Sequence, residues 1–213
     1  MELADRFAGV AVENKAAVER VLKITCSIRD SVDRLGTAHH VALVNVCQFA
    51  LLFNYDLSCL LHDLTATQIA WHRRLHARHL ALTLVECVED FTALLGKPFR
   101  RAISELRLDP ATVETLNSLS AELHAFQRQH DRFLRSVRNY TIAHREHDAT
   151  IQLQWINDLE PKSLGALGDE MMRWTARLHV YLHSVILGMI PSLARMHDKS
   201  AKPCDEANGG PLC

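Results

Sequence analysis

The sequence lacks the motifs with which several enzyme classes hold phosphate or metal. Its eight glycines are dispersed, so no glycine-rich phosphate loop occurs in the 213 residues. Neither the HExxH motif nor a paired ExxH pattern is present, although these are common metal signatures of helical proteins. We therefore predict no cofactor and no metal site from motifs.

Cysteine spacing matches no metal site and no disulfide framework. Four of the six cysteines lie within apolar helical patterns without a CxxC pair, which indicates small buried side chains in a reducing compartment. The other two, Cys204 and Cys213, lie in the polar C-terminal stretch at a spacing that fits no metal motif. The four helical cysteines are Cys26, Cys47, Cys59 and Cys87.

The sequence also lacks an excess of charge of either sign. The 24 Lys and Arg residues are balanced by 25 Asp and Glu residues, which gives a formal net charge of −1. Strong nonspecific attraction to nucleic acid or anionic lipid requires many uncompensated cations. A nucleic-acid partner is thus restricted to a local basic face.

No leader and no membrane span are predicted, and the expected location is the cytoplasm. Residues 1–6 lack the basic start and apolar core of a signal peptide. The most apolar run, Val41 to Leu61, contains Asn54 and Asp56 among other polar residues and is too polar to span a bilayer. The run from Val180 to Ala194 is too short.

Apolar residues recur three and four positions apart and seldom two apart, which is the period of amphipathic helices. The pattern predicts an all-α fold, a single bundle of about five to six helices over residues 1–198, followed by a disordered polar tail at 199–213. The first three expected helices are a heptad segment from Val18 to Leu35, a central and most buried helix at about His39–Leu61, and a helix at about Thr67–Leu95 that Gly96 and Pro98 end. A short helix at Ile103–Leu106 follows, and the last helix is expected at about Ser163–His197 with a kink at Pro191.

The remaining helix has the most regular pattern. Asp109 followed by Pro110 is a strong start signal, because aspartate caps a helix and proline suits its first position. The alternation after this helix, from Thr150 to Trp155, predicts a short extended piece or a hairpin arm. The apolar stripe of the helix runs through Leu116, Leu119, Leu123, Phe126, His130, Phe133, Val137, Tyr140 and His144.

Reactive side chains gather near the end of this stripe, between Arg138 and Arg145. On an α-helix, the six positions from Arg138 to His144 separate the two side chains by about 120° around the axis and about 9 Å along it. One protomer therefore does not focus both groups on one atom. A two-fold dimer would bring two arginines and two histidines to a shared cleft.

This octapeptide, RNYTIAHR, resembles the arginine-to-histidine signature of the HEPN superfamily, all-helical domains of which many are metal-independent ribonucleases. The resemblance is most direct from Phe133 to Gln152 and looser from Val41 to Ile190. The ending Ala-His-Arg-Glu looks most like the branch associated with abortive infection, although Glu146 stands where toxin-type members often carry tyrosine. The resemblance implies a homodimer, an RNA substrate and an antitoxin or other protein partner.

The implied chemistry is cleavage of RNA by its own 2′-hydroxyl. Histidine can transfer a proton near neutral pH, and the planar fork of arginine can hold two phosphate oxygens while charge develops on them. The resemblance assigns the catalytic roles to Arg138 and His144 with Asn139 in support, and secondary roles to Tyr140, Arg145 and His147.

Three further arginines, Arg128, Arg132 and Arg135, form a row on the outer face of the same helix, which Asn139 continues. This is the largest basic concentration in the chain and can track the phosphates of RNA. The alternative is a solvated helix face that acidic neighbours partly neutralise.

Histidines recur three and four positions apart, a spacing at which imidazoles on one helix can chelate Zn²⁺. Three arginines beside the first group would repel a cation, so we favour an exposed, partly charged face over a metal site. The groups are His72, His76 and His79, then His144 and His147, then His179 and His183, and the arginines are Arg73, Arg74 and Arg78.

Two functions stay open at this point. The first is a metal-independent endoribonuclease of a defence or toxin system. The second is a non-catalytic helical interaction module, or a nucleotide- or RNA-binding module, that keeps the HEPN-like bundle. The position of His144 allows both, because a histidine on an apolar stripe is often a hydrogen-bonded core residue.

Overall fold

The structure is a computed structural model that describes the backbone at residues 19–20, 23–27, 29–30, 38–106, 108–143 and 148–200. Within these ranges the chain is helical apart from short turns and connections, and no strand occurs. The predicted all-α bundle is thus confirmed. The elements are α1 (Ala38–Ala66), α2 (Ala70–Leu94), α3 (Lys97–Glu105), α4 (Pro110–Arg138), a π-helix (Asn139–Ala143), α5 (Ala149–Asp158) and α6 (Pro161–Ser200).

Two predicted end segments are only partly covered. The described residues between 19 and 30 are helical, and Thr25 is buried there, as expected for its heptad position. The other heptad positions between Val18 and Leu35 lie outside the described residues. At the other end α6 continues to Ser200, past the predicted limit of the bundle, while residues 201–213 of the predicted tail lie outside the described residues.

Helix α1 is the central element, as its apolar circumference predicts. It packs against α2, α3 and α6, and its inward residues, such as Val46, Ala50 and Leu57, are fully buried. By length and composition alone, Val41–Ala66 could cross a membrane, with a mean hydropathy of 1.3, but 44% of that window is buried inside the protein. Its apolar surface therefore serves largely to pack the bundle.

An aromatic cluster joins three helices at the centre of the core. The ring of Phe91 on α2 meets the rings of Phe49, Phe53 and Trp174 edge-on, at centroid distances of 4.9, 5.7 and 5.0 Å. The indole Nε1 of Trp174 donates a hydrogen bond to the carbonyl oxygen of Leu119, at 2.9 Å. The cluster thereby fixes α6 against both α2 and α4.

The helix boundaries follow the sequence signals at two places. A Cβ atom at Gly96 would lie 2.8 Å from the carbonyl oxygen of Ala93, so the turn between α2 and α3 requires glycine. The side chain of Asp109 caps α4 by accepting a hydrogen bond from the Thr112 amide at 3.0 Å, and it accepts another from the Thr112 hydroxyl at 2.6 Å. These two bonds lower the pKa of Asp109.

The prediction of an extended piece from Thr150 to Trp155 is wrong, because this segment belongs to α5. The side chain of Asp148 accepts a hydrogen bond from the Thr150 amide at 2.8 Å and so caps the helix. Gln152 and Trp155 are half-buried and Ile156 is buried, which is a helical spacing. Ile151 and Leu153, two of the alternating apolar residues, are exposed to solvent on this helix.

The predicted stripe on α4 is buried as far as Phe126 and again at Val137, but Leu134 takes the buried position predicted for Phe133. Leu134 and Val137 are buried, whereas the predicted core residues Phe133 and Tyr140 are 41% and 37% exposed. The imidazole of His130 is half-buried against the ring of Phe126, at a centroid distance of 4.9 Å. Once the stripe steps to Leu134, Phe133 faces solvent, because adjacent residues of a helix point about 100° apart.

The cysteines take different environments. Cys47 and Cys87 are buried, and burial raises the pKa of the Cys47 thiol to about 12. Cys59 is half-buried. Cys26 is exposed, contrary to the prediction, and its sulfur accepts a hydrogen bond from the Gln48 side chain at 3.4 Å.

Candidate functional site

The predicted site lies where α4 passes into the π-helix. Arg138 is the last residue of α4 and is half-buried, and its Nε is shielded from solvent without a hydrogen-bond acceptor in the described part of the chain. Asn139 and Tyr140, which follow it, are exposed. The other predicted site residues, His144, Arg145 and His147, lie outside the described residues.

The geometry expected of an uninterrupted α-helix does not apply after Arg138. The backbone from Asn139 to Ala143 is a π-helix, in which hydrogen bonds span five residues instead of four. The α-helical geometry used to relate Arg138 to His144 therefore does not hold over residues 139–143, and His144 itself lies outside the described residues. Wide turns of this kind occur frequently at functional sites.

Thr141 makes hydrogen bonds that connect the π-helix to α4, α2 and α5. Its side chain is buried, and its hydroxyl donates a hydrogen bond to the carbonyl oxygen of Val137 at 2.5 Å. Bonding of this type, back to a carbonyl one turn earlier, bends helices. The Thr141 carbonyl in turn accepts hydrogen bonds from Arg78 Nη1 at 3.4 Å and from Gln152 Nε2 at 3.5 Å. Helices α2 and α5 thus meet at one backbone group of the π-helix.

An aromatic pair makes the second contact between the π-helix and α5. The rings of Tyr140 and Trp155 are stacked, with centroids 4.8 Å apart and planes 9° apart. One face of the Tyr140 ring is therefore covered by Trp155. The family resemblance gives Tyr140 a secondary role, whereas no sequence pattern indicates Trp155, whose contact with Tyr140 depends on the helical form of α5.

A pocket of about 400 Å³ opens beside this junction. Its volume lies within the range of ligand-binding pockets in proteins. No sequence pattern indicates Trp71 or Gln152 as site residues, and Arg78 is predicted only as a charge that would repel metal. An exposed tryptophan close to the start of an amphipathic helix is the one signal that could have pointed to this place. The main lining residues are Trp71, Arg78, Thr141, Gln152, Leu153 and Ile156.

The arginines near the start of α2 bind backbone oxygens. Arg73 donates to the Thr67 carbonyl through Nε at 3.3 Å and Nη2 at 2.9 Å, and Arg74 Nη2 donates to the Asn157 carbonyl at 3.4 Å. Neither arginine forms an ion pair with a described carboxylate. These contacts to backbone oxygens therefore leave the positive charge of Arg73 and Arg74 uncompensated by any described carboxylate.

The arginine row on α4 is less uniform than predicted. Arg135 Nε donates a bifurcated hydrogen bond to Asp131, 2.8 Å from both carboxylate oxygens, and the guanidinium also pairs with Glu89. These hydrogen bonds raise the pKa of Arg135. Arg128 and Arg132 are exposed and pair with no carboxylate among the residues that the structure describes. The interpretation of a helix face neutralised by acidic neighbours thus fits Arg135, whereas Arg128 and Arg132 remain as exposed cations in the row.

The histidine groups do not converge on one point in the described part of the chain, where no cluster of three potential metal ligands is found. His76 Nδ1 lies 4.0 Å from a carboxylate oxygen of Asp63. Burial, followed by the charges of Arg78 and His76, lowers the pKa of His79. His183, the partner of His179 in the predicted pair, is exposed on α6.

His179 has the role of a core residue. It is half-buried between helices, and its Nε2 has no hydrogen-bond partner among the described residues. Burial lowers the pKa of His179, although a hydrogen bond with the backbone of Ala50 opposes the change. The neutral imidazole is therefore the form that packing favours.

Comparison with known proteins identifies no relative of this chain. No family model, no curated protein and no solved structure matches the chain. The contacts around the π-helix are therefore the basis on which a function can be assigned.

Proposed function

We propose that this protein is a cytoplasmic, metal-independent endoribonuclease of the HEPN type, acting as a homodimer in a defence or toxin system. The observation that carries the proposal is the position of Arg138, half-buried at the start of the π-helix with a shielded Nε that has no acceptor among the described residues. A buried charged donor without an acceptor is costly, and a phosphate oxygen would satisfy it. The predicted base, His144, follows six positions later in the sequence.

The reaction requires only protein groups and the substrate. One histidine removes the proton of the 2′-hydroxyl, and the 2′-oxygen attacks the adjacent phosphorus. The bond from phosphorus to the 5′-oxygen then breaks, and a second histidine protonates the leaving oxygen. Arg138 holds the equatorial phosphate oxygens while negative charge develops on them. The products are a 2′,3′-cyclic phosphate and a 5′-hydroxyl.

A second copy of the chain would supply the second histidine. The edge of the bundle beside Arg138 carries several exposed apolar side chains, which is the composition of an interface that excludes water. Asn139 would support the arginine, and Arg145 and His147 would contact the substrate from the same segment. The exposed apolar residues are Leu75, Tyr140 and Ile151.

The test is cleavage of mixed cellular RNA by purified protein in excess chelator. We expect wild-type protein to leave 2′,3′-cyclic phosphate ends, and Arg138→Ala and His144→Ala to lose activity by about 100-fold or more, since each removes a transition-state contact or a proton-transfer group. Arg173→Ala is the matched control, because Arg173 is an exposed arginine on another helix, α6, where it pairs with Asp169. Retained cleavage in His144→Ala would contradict the proposal.

The second candidate is a non-catalytic module that binds a protein such as an antitoxin, or RNA, through the same edge. The exposed apolar residues named above favour it. In that case wild-type protein would cleave no RNA, and Leu75→Ala or Ile151→Ala would weaken self-association or partner binding. Sedimentation of wild type and both variants measures the change in self-association.

A further inference from the structure

We propose that the pocket between α2, the π-helix and α5 binds one unpaired nucleotide of RNA, with the base stacked on the indole of Trp71. This inference rests on the proposed function for the choice of RNA as the ligand. It concerns a different part of the site from Arg138, because the pocket is lined by α2, by Thr141 of the π-helix and by α5, and Arg138 is not among its described lining residues.

Trp71 has the properties of a stacking platform. Its side chain is 47% exposed, although tryptophan is usually well buried. It stacks on no other aromatic ring in the described part of the chain, whereas Trp155 and Trp174 each have a ring partner. An indole face that borders a pocket can take a base of any sequence, since every base has an aromatic face.

The polar groups of the pocket match the two other parts of a nucleotide. Gln152 lines the wall, and an amide both donates and accepts hydrogen bonds, as the edges of bases do. Arg78 also lines the wall and can contact a phosphate oxygen with its guanidinium. Among the described lining residues none is acidic.

The pocket favours a single unpaired nucleotide over a duplex. At about 400 Å³ it is a local cavity and not an extended groove. Recognition of double-stranded RNA uses phosphate contacts across successive grooves, which need a long basic face. Here the arginine row on α4 is partly neutralised by the pairing of Arg135 with Asp131 and Glu89.

Binding can be measured apart from cleavage with an oligonucleotide that has no 2′-hydroxyl. A fluorescein-labelled single-stranded tetranucleotide of 2′-deoxy residues cannot undergo the proposed reaction, and its anisotropy reports the Kd. The full chain is tested as wild type, Trp71→Ala, Trp71→Phe and Gln152→Ala. Ile69→Ala is the matched control, since Ile69 is an exposed apolar residue beside α2 that does not line the pocket. Circular dichroism verifies that each variant is folded.

Loss of a base–aromatic stack lowers affinity by about 5- to 150-fold. We expect a loss in this range for Trp71→Ala, a smaller loss for Trp71→Phe and Gln152→Ala, and less than about a twofold change for Ile69→Ala. A hairpin duplex of the same composition should bind more weakly than the single strand. Wild-type affinity in Trp71→Ala, an equal loss in Ile69→Ala, or equal binding of the duplex would each overturn the inference.

The two proposals fail in different ways. If cleavage depends on Arg138 and His144 while Trp71→Ala binds and cleaves like wild type, only the nucleotide pocket is refuted. If the tetranucleotide binds through Trp71 while wild-type protein cleaves no RNA, the nuclease is refuted and the pocket stands as a binding site for single strands.

Discussion

Replacing Tyr181 with phenylalanine should stabilise this protein, although most substitutions in a core destabilise. The side chain of Tyr181 on α6 is 4% exposed, and its hydroxyl is buried without a hydrogen-bond partner among the described residues. Burial raises the pKa of this hydroxyl to about 12, although the charge of Arg100 opposes the change. The phenol thus loses hydration without gaining a protein partner that the structure describes.

The expected magnitude follows from the cost of such a group. A buried polar atom without a partner costs about 1–3 kcal/mol. Removing the oxygen also removes its dispersion contacts, each about 0.1–0.2 kcal/mol. We therefore expect the free energy of unfolding to rise by about 1 kcal/mol in Tyr181→Phe, which corresponds to an increase in Tm of about 2–4 °C for a chain of this size.

Urea unfolding followed by far-ultraviolet circular dichroism measures this difference. The matched comparison is Trp174→Phe on the same helix, because the indole of Trp174 does have a partner, the carbonyl oxygen of Leu119 at 2.9 Å. That variant should lose about 1–3 kcal/mol, through one hydrogen bond and some volume. If Tyr181→Phe is instead less stable than wild type by more than about 1 kcal/mol, the hydroxyl is hydrogen-bonded in solution and the reasoning is refuted.

Two further predictions concern pH and backbone packing. Because burial lowers the pKa of His179 below its usual 6.5, the unfolded chain binds more protons than the folded chain at mildly acidic pH. This group should therefore make the free energy of unfolding highest above about pH 6.5 and lower below it. In urea titrations, His179→Leu should reduce the fall in stability between pH 7.5 and 5.5, and an equal fall in both proteins would contradict this. Gly96→Ala should cost about 1–3 kcal/mol in the same assay, because its Cβ would lie 2.8 Å from a backbone oxygen. Gly165→Ala is the control, because its Cβ would meet only the end of a leucine side chain at 3.3 Å and alanine is favoured over glycine in a helix by about 1 kcal/mol. A loss of stability in Gly165→Ala as large as that in Gly96→Ala would refute the packing argument.

Local signals predicted the helical architecture well where several of them coincide. The Asp109–Pro110 start of α4 and the glycine turn at Gly96 are where the sequence predicts them. The period of three and four identified α1 as the core helix, because apolar residues around most of a helix can be buried only at the centre of a bundle. These features depend on neighbours within a few residues, which is why they can be read without a structure.

Short or competing patterns were the ones that failed. Six alternating residues from Thr150 to Trp155 fit a strand, but they also place Gln152 and Trp155 on one helical face, and the cap by Asp148 decides for the helix. The choice of Leu134 over Phe133 for the buried face depends on the packing of α4, since both residues are apolar. Propensity cannot decide between options that bury similar area.

The sequence by itself thus determined the long helices, most of the core and the position of the Arg138 segment. Only the tertiary structure decided what surrounds that segment. The carbonyl of Thr141 accepts hydrogen bonds from Arg78 and from Gln152, and Trp71 lies at the same pocket. No local pattern could predict this meeting, because α2 and α5 are brought together by the packing of the whole bundle and not by any signal within either helix.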